Sequence, residues 1–142
     1  MKPFLLDVNL MVALVWPAHV HNRAAEQWFT ENRRHGFRSC PITQAGTVRI
    51  LAHPRYGRDS MTLAGAQGAL RDLIALPEHG FWPVNFALAE AIELAGPITG
   101  HQQITDAYLV ALAIANGGIL ATFDRRVLGL RGAKGFVEII DG

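Results

Sequence analysis

The chain has 142 residues, of which 50% are hydrophobic and 18% are charged, and its single cysteine, Cys40, has no intramolecular partner for a disulfide. This composition excludes a disordered chain, a collagen-like chain and a disulfide-rich scaffold, and the formal net charge of +1 provides no overall positive field that would indicate a nucleic-acid binder. No apolar run reaches the roughly 18 residues of a membrane helix, and Asp7 interrupts the N-terminal run too early for a signal peptide. We therefore expect a single domain over residues 1–142, located in the cytoplasm and without a membrane partner.

Short apolar runs alternate with helical patterns along the whole chain. The first strand is predicted over residues 4–6 and ends at Asp7. The elements predicted after it are, in chain order, helices at 10–15 and 21–34, a strand at 37–40, a helix that Thr43 caps and that ends before Pro54, a surface loop at 53–60, a helix at 62–76, an edge strand at 81–84, helices at 86–95 and 104–116, and strands at 119–123 and 136–140. Apolar strands without polar alternation, separated by helices, are typical of a parallel sheet that is covered on both faces. The pattern therefore predicts an α/β fold with a mainly parallel sheet flanked by helices.

Three of the six aspartates lie in or beside the most apolar segments of the chain. Asp7 and Asp124 each end a predicted strand, and Asp106 lies in the first turn of the helix predicted over 104–116. Ligands of open α/β sheets bind at the edge where the carboxyl ends of the strands meet. If the helix carrying Asp106 begins at that edge, the three carboxylates converge and need a cation, for which Mg²⁺ or Mn²⁺ is suited. Such a site activates water for phosphodiester hydrolysis.

Each aspartate also has a purely structural explanation. Asp7 is a suitable N-cap for the helix after it, and Asn9 either holds this carboxylate or only belongs to the turn. Asp106 would complement the dipole of its helix, with Thr105 as the cap. Asp124 would be a turn residue that pairs with one of the two arginines after it. All three explanations must hold together to replace one shared site, which favours the site.

Four short segments occur in a fixed order along the chain: LLDVNL at 5–10, TQAGTVR at 43–49, ITDAYL at 104–109 and TFDRR at 122–126. Together they resemble the PIN-domain family, and specifically the VapC-type toxin ribonucleases of type II toxin–antitoxin pairs. The stretch from His19 to Trp28 resembles the one that follows the first helix in this subfamily. The ordered set spans nearly the whole chain, although each segment is a weak signal alone.

The resemblance implies a PIN fold and an endoribonuclease that depends on Mg²⁺ or Mn²⁺, in which a metal-activated water attacks an RNA phosphodiester bond. Under this resemblance Asp7, Asp106 and Asp124 are the catalytic, metal-binding acids. Asn9 and Thr122 are then polar groups that support them. The resemblance also implies a homodimer and a VapB-type antitoxin, whose C-terminal segment enters the active-site groove.

One position departs from the family pattern. Many PIN domains have an acid where this chain has Gln44, and a neutral amide offers less charge to a cation, which leaves open whether one or two metal ions bind. Arg49 is a candidate to contact a phosphate, an antitoxin carboxylate or a local acid. Arg125 and Arg126 are candidates for a basic rim that positions the RNA backbone without recognising its sequence.

Two other hypotheses stay open at this point. In the first, Gln44 weakens the metal site and the chain is a PIN module that binds RNA or its antitoxin without efficient cleavage. In the second, the chain is a phosphoryl-accepting receiver-like domain, which fits poorly because Val8 stands where a receiver has a second acid. Four histidines are predicted to be surface residues, since they lack the spacing of metal ligands: His19, His21, His79 and His101.

Overall fold

The computed structural model describes residues 1–54 and 61–142, so most of the loop predicted at 53–60 lies outside the described residues. The strands in the described part are β1 (Phe4–Leu6), β2 (Phe37–Ser39), β3 (His79–Phe81), β4 (Ile119–Thr122) and β5 (Val137–Ile139). The helices are α1 (Val8–Val15), α2 (Asn22–Asn32), α3 (Pro41–Leu51), α4 (Leu63–Ile74), α5 (Leu88–Ala95) and α6 (Ile104–Asn116). None of these helices is both long and apolar enough to span a membrane.

The five strands form one sheet in the order β3-β2-β1-β4-β5, and every neighbouring pair is parallel. Phe4 in the central strand pairs with Phe37 on one side and with Ile119 on the other. The expected α/β fold with a parallel sheet and flanking helices is therefore confirmed. Since all strands point the same way, the segments that follow β1, β2 and β4 lie at one edge of the sheet.

The core lies on both faces of the sheet, which explains why the strand sequences do not alternate with polar residues. Leu6 belongs to a cluster that includes residues of α1 and α2, whereas its neighbour Leu5 belongs to a cluster with α6. Both leucines are completely buried. Full burial of a leucine side chain stabilises the fold by about 1.5–3 kcal/mol, so β1 is anchored from both sides.

Several predicted boundaries differ from the structure, and the edge strand differs most. The strand predicted at 81–84 lies instead at His79–Phe81, because pairing with β2 aligns Phe37 with His79 and ends after the N–H of Trp82 donates to the carbonyl of Ser39. As expected, this strand is at an edge of the sheet. The helix predicted to be capped by Thr43 begins earlier, at Pro41.

Cys40 is the N-cap residue of α3. The hydroxyl oxygen Oγ1 of Thr43, inside the first turn, accepts the N–H of Cys40 at 3.0 Å, so its hydrogen bond closes the turn from within. The end of α2 also differs from the prediction, since a short 3-10 turn at Arg33–His35 replaces its last residues.

Candidate active site

Asp7 lies directly after β1 and is the N-cap residue of α1. Its Oδ1 accepts the N–H of Val8 at 2.7 Å, so the structural explanation of this residue is correct. Its Oδ2, however, accepts a hydrogen bond of 2.8 Å from Oγ1 of Thr122 on β4. Burial raises the pKa of Asp7, against the hydrogen bonds from Thr122 and Val8 that lower it. The carboxylate thus links two central strands as well as capping a helix.

Thr122 is the centre of a hydrogen-bond network that joins the ends of β1 and β4. Its Oγ1, completely buried, donates to Asp7 and accepts from Nδ2 of Asn9 at 3.0 Å and from the N–H of Asp124 at 3.0 Å. The Oδ1 of Asn9 accepts the N–H of Phe123 at 3.2 Å. Both ends of the Asn9 amide are therefore used to hold the segment after β4 against the N-terminus of α1.

The carboxylate of Asp124 is held by Arg126. Its Oδ1 accepts from the N–H of Arg126 at 2.9 Å and from Nε at 3.0 Å, and its Oδ2 accepts from Nη2 at 2.9 Å. These hydrogen bonds lower the pKa of Asp124. Asp124 is therefore a turn residue paired with Arg126, as its structural explanation expected, while Arg125 pairs with Asp141 at 2.9 Å.

Asp106 is half-buried in the first turn of α6 and makes no hydrogen bond or ion pair with any residue of the described part. Burial, together with the negative charges of Asp7 and Asp124, raises its pKa to about 6, against the positive charge of Arg126, which lowers it. The three carboxylates therefore act on one another electrostatically. The cap of α6 is Gln103, so the expectation that Thr105 caps this helix is wrong.

A cleft of about 550 Å³ opens beside Asp106 and Asp124. Its other lining residues are Thr99, Gly100, His101, Gln102, Gln103 and Arg126. The loop at 99–103 is closed by Oε1 of Gln103, which accepts the N–H of Thr99 at 2.6 Å. The sequence analysis does not assign this loop to the site; its position directly before the helix that carries Asp106 was the available signal.

Three residues that were predicted to support the site or to position the substrate do not line this cleft: Gln44, Arg49 and Arg125. The Nε2 of Gln44 donates to Oγ of Ser39 at 2.9 Å, and this hydroxyl lies 2.7 Å from Nε2 of His79. Arg49 is exposed on α3, and Arg125 is exposed and paired with Asp141. Of the four histidines predicted to be surface residues, His101 is exposed, whereas His19, His21 and His79 are half-buried, and burial lowers the pKa of His79.

The acidic residues suit a divalent cation in their chemistry but are not arranged as a finished binding site. Among residues 1–54 and 61–142, no group of three or more His, Cys, Asp or Glu side chains is placed to hold a metal ion. Oxygen donors are nevertheless what Mg²⁺ and Mn²⁺ prefer, and Asp106 presents a half-buried carboxylate that makes no hydrogen bond or ion pair with the described residues. Arg126 neutralises Asp124 instead. The three carboxylates fit a hard cation once the carboxylate of Asp124 releases the guanidinium of Arg126 and binds the cation instead.

Comparison with known proteins identifies the family. The sequence matches the PIN domain family over residues 4–132. The chain belongs to this family. It is 40% identical over 139 residues to Ribonuclease VapC39 of Mycobacterium tuberculosis, covering 96% of this chain and 98% of the relative, and 38% identical over 126 residues to Ribonuclease VapC38 of the same organism, covering 89% and 88%.

Solved structures of PIN domains have the same fold. The Mycobacterium tuberculosis VapC20, described as a Sarcin-Ricin loop cleaving toxin, aligns with a TM-score of 0.70 at 16% identity and covers 97% of this chain and 99% of its own. The VapBC2 structure from Rickettsia felis, bound to a DNA fragment from the promoter, aligns with a TM-score of 0.68 at 15% identity and covers 98% and 99%. The resemblance to VapC-type PIN domains is therefore confirmed.

Proposed function

We propose that this chain is a metal-dependent endoribonuclease and the toxin of a VapBC-type toxin–antitoxin pair. The observation that carries the proposal is the electrostatic coupling of Asp106 to Asp7 and Asp124 beside a cleft at the carboxyl edge of the sheet. Membership of the PIN family, with relatives named as ribonucleases, supports the assignment of this site to RNA hydrolysis.

Each acid has a separate task in this mechanism. A Mg²⁺ or Mn²⁺ ion bound by Asp7, Asp106 and Asp124 would supply Lewis acidity for a water nucleophile and for the scissile phosphate. Thr122 donates to Oδ2 of Asp7 and thereby fixes the rotamer of this carboxylate. Asp106 has no competing partner among the described residues, so its carboxylate is available without rearrangement.

Arg126 has two partners in this proposal. In the described structure it holds Asp124, with 78% of its side chain exposed at the cleft. When Asp124 takes part in binding a cation, the guanidinium is released toward the cleft, where its planar fork suits the non-bridging oxygens of a phosphate. Arg126 would then position the RNA backbone, together with the more distant Arg125 and Arg49.

The proposal extends to the partners and the location of the chain. We infer a VapB-type antitoxin as the partner because the relatives are VapC proteins and a neighbouring structure is a VapBC complex. A homodimer and a cytoplasmic location are proposed on the same family membership.

A second candidate function keeps the fold without efficient chemistry. Gln44 donates a hydrogen bond to Ser39 and does not line the cleft, and Arg126 donates hydrogen bonds to the carboxylate of Asp124. These two observations favour a module that binds RNA or antitoxin and has a low affinity for metal.

Metal binding and RNA cleavage, measured together, test both candidates. Asp106→Asn keeps the size of the side chain and removes its charge, so it should lose Mn²⁺ binding in calorimetry and lower metal-dependent cleavage by about 10²-fold or more. Asp72→Asn, an exposed aspartate on α4, is the matched control and should behave like the wild type.

The outcomes separate the candidates. Full binding and cleavage by Asp106→Asn would contradict the proposed site. A wild-type protein that binds RNA, does not bind metal and does not cleave any of a panel of structured and single-stranded RNAs would favour the binding module.

A further inference from the structure

Four rings form a continuous row beside the acids. The ring centroids are 5.7 Å apart between Trp16 and His19, 5.7 Å between His19 and His21, and 5.0 Å between His21 and Phe123. The last pair is stacked, with an angle of 24° between the ring planes. All four residues are half-buried. We call these four residues the aromatic row.

The aromatic row begins at the acid cluster itself. Phe123 stands between Thr122 and Asp124 in the sequence, and its N–H donates to Oδ1 of Asn9 at 3.2 Å. The network that holds Asp7 therefore also fixes the backbone of Phe123. On the other side of Asp124, Arg125 and Arg126 expose 70% and 78% of their side chains. One end of the row thus adjoins Thr122 and Asp124 along the chain, and two exposed arginines, each paired with an aspartate, follow it.

The imidazole of His19 presents aromatic surface rather than charge. The Nδ1 of His19 accepts the N–H of His21 at 3.0 Å, which requires this nitrogen to be unprotonated. Burial and the neighbouring His21 lower the pKa of His19. No carboxylate of the described residues pairs with either ring. Between them Val20 is 86% exposed, so this turn shows apolar and aromatic surface to solvent.

We propose that the aromatic row binds a base of the RNA substrate by stacking, next to the phosphodiester bond that water attacks at the acids. This inference rests on the proposed ribonuclease function. Aromatic side chains are the usual platforms for unstacked bases of single-stranded RNA, and they accept any base because every base has a π-face. The row therefore adds affinity and positions a nucleotide without selecting its sequence.

The site for the base is on the His19 and His21 part of the row. Gly142 packs against one edge of both His21 and Phe123, since a Cβ at this position would be 2.7 Å from Nδ1 of His21 and 3.0 Å from Cε1 of Phe123. In this proposal the base approaches His21 from the side away from Gly142. Phe123 also packs against the core. His21 is thus the residue whose substitution tests the row with the least damage to the fold.

The experiment compares two RNA strands on a chain that does not cleave them. Asp106→Asn serves as the parent, and fluorescence anisotropy measures its affinity for a short single-stranded RNA and for a strand of the same length without bases. His21→Ala in this parent should weaken binding of the RNA by about tenfold and leave binding of the abasic strand unchanged. His21→Phe keeps an aromatic face and should stay within about twofold of the parent.

Two controls address the fold. His21→Leu keeps apolar bulk without an aromatic face and should behave like His21→Ala, and thermal unfolding checks that each variant is folded. His35→Ala removes a histidine whose ring lies 6.3 Å from that of Phe4, directly before β2 and thus at the opposite edge of the sheet. It should change neither affinity.

The outcomes distinguish the aromatic row from the ribonuclease proposal. Unchanged RNA binding by His21→Ala, or equal weakening of binding for both strands, overturns the stacking site. The ribonuclease proposal is then still supported if the wild-type chain, assayed separately, cleaves RNA. A parent that binds neither strand, with a wild type that cleaves no RNA, overturns both proposals.

Discussion

The carboxylates of Asp106 and Asp124 line the same cleft, but their surroundings differ. Asp124 accepts hydrogen bonds from Nε and Nη2 of Arg126, which lower its pKa, whereas Asp106 has no partner among the described residues and its pKa is raised. Arg126 therefore already supplies one positive charge to the acids. A divalent cation that binds all three carboxylates has to displace this guanidinium first.

Arg126→Gln is expected to increase the affinity for Mn²⁺, because the ion no longer has to displace the guanidinium. The increase should be only about two- to fivefold, because exposed ion pairs of this kind are weak. Calorimetric titration measures the change. Arg125→Gln is the matched control, since it removes the same charge from the neighbouring position but from a partner outside the cleft, Asp141. If Arg126→Gln binds Mn²⁺ no better than Arg125→Gln does, the guanidinium does not compete with the ion.

At the residue scale, the sequence predicts which acids meet but not which partner each one takes. That Asp124 and the end of β1 lie at the same edge of the sheet follows from strand direction alone. Its pairing with Arg126 rather than with Arg125 depends on the turn, in which the N–H of Arg126 reaches the same carboxylate. The contact between Gln44 and Ser39 depends on how α3 packs beside β2, which no local pattern encodes.

At the scale of elements, the bounds of a helix or strand are predicted well where the local sequence determines them. Helix α6 has the predicted bounds because its apolar pattern ends at Gly117, whose φ of 65° is in the left-handed region. The edge strand was misplaced because the aromatic run at 81–84 has high strand propensity, whereas His79 and Gly80 have little. Pairing with β2 decides this strand, and that pairing is non-local.

Helix α3 approaches the N-terminus of α1 at Gly46. A Cβ at this position would lie 2.7 Å from Cγ2 of Val8, the residue directly after Asp7. The glycine therefore allows α3 to pack against the helix that Asp7 caps. The TQAGTVR segment was expected to act on the site through Gln44. It is connected to the site instead through the packing of Gly46 against Val8.

Gly46→Ala is expected to lower the free energy of unfolding by about 1–3 kcal/mol, because the β-branched Val8 has little freedom to move away. Gly68→Ala in α4 is the matched control: nothing lies within 4 Å of its Cβ, so the substitution should raise the free energy of unfolding by about 0.5–1 kcal/mol. Urea denaturation measures both. Gly46→Ala should cost much less in a Val8→Ala background, and simple additivity of the two substitutions would rule out this contact as the cause.

At the scale of the whole molecule, the acids lie where the order of the sheet reverses. From β1 the chain places β2 and β3 on one side, whereas β4 and β5 lie on the other. The segments after β1 and β4 therefore diverge and leave a crevice, which is where open α/β sheets bind ligands. Asp7 and Thr122 meet there across 115 residues of sequence. That residues 1–142 form a single domain stays a prediction.

The coupled acids make the stability of the whole chain depend on pH when no divalent cation is present. Burial, Asp7 and Asp124 raise the pKa of Asp106 from 3.8 to about 6. An acid with a higher pKa in the folded state binds its proton more tightly there, so its ionisation destabilises the fold. This penalty begins as the pH rises above about 4 and is complete above about 6.

Asp106→Asn removes this ionisation. In EDTA the variant should unfold about 3–6 °C above the wild type near pH 8, and the difference should vanish near pH 4. His19 and His79, whose pKa values burial lowers, add a slope of opposite sign, but both chains contain them and the slope cancels in the difference. Asp72→Asn should show no such difference.

Mn²⁺ should reverse the order of the two chains near pH 8, because only a folded chain with Asp106 gains stability by binding the ion. Thermal unfolding with and without the ion measures this. A difference in unfolding temperature that does not change with pH would trace the effect of Asp106→Asn to packing instead of charge. Equal stabilisation of both chains by Mn²⁺ would mean that the ion binds away from Asp106, and the acids would then need another explanation for their convergence at the sheet edge.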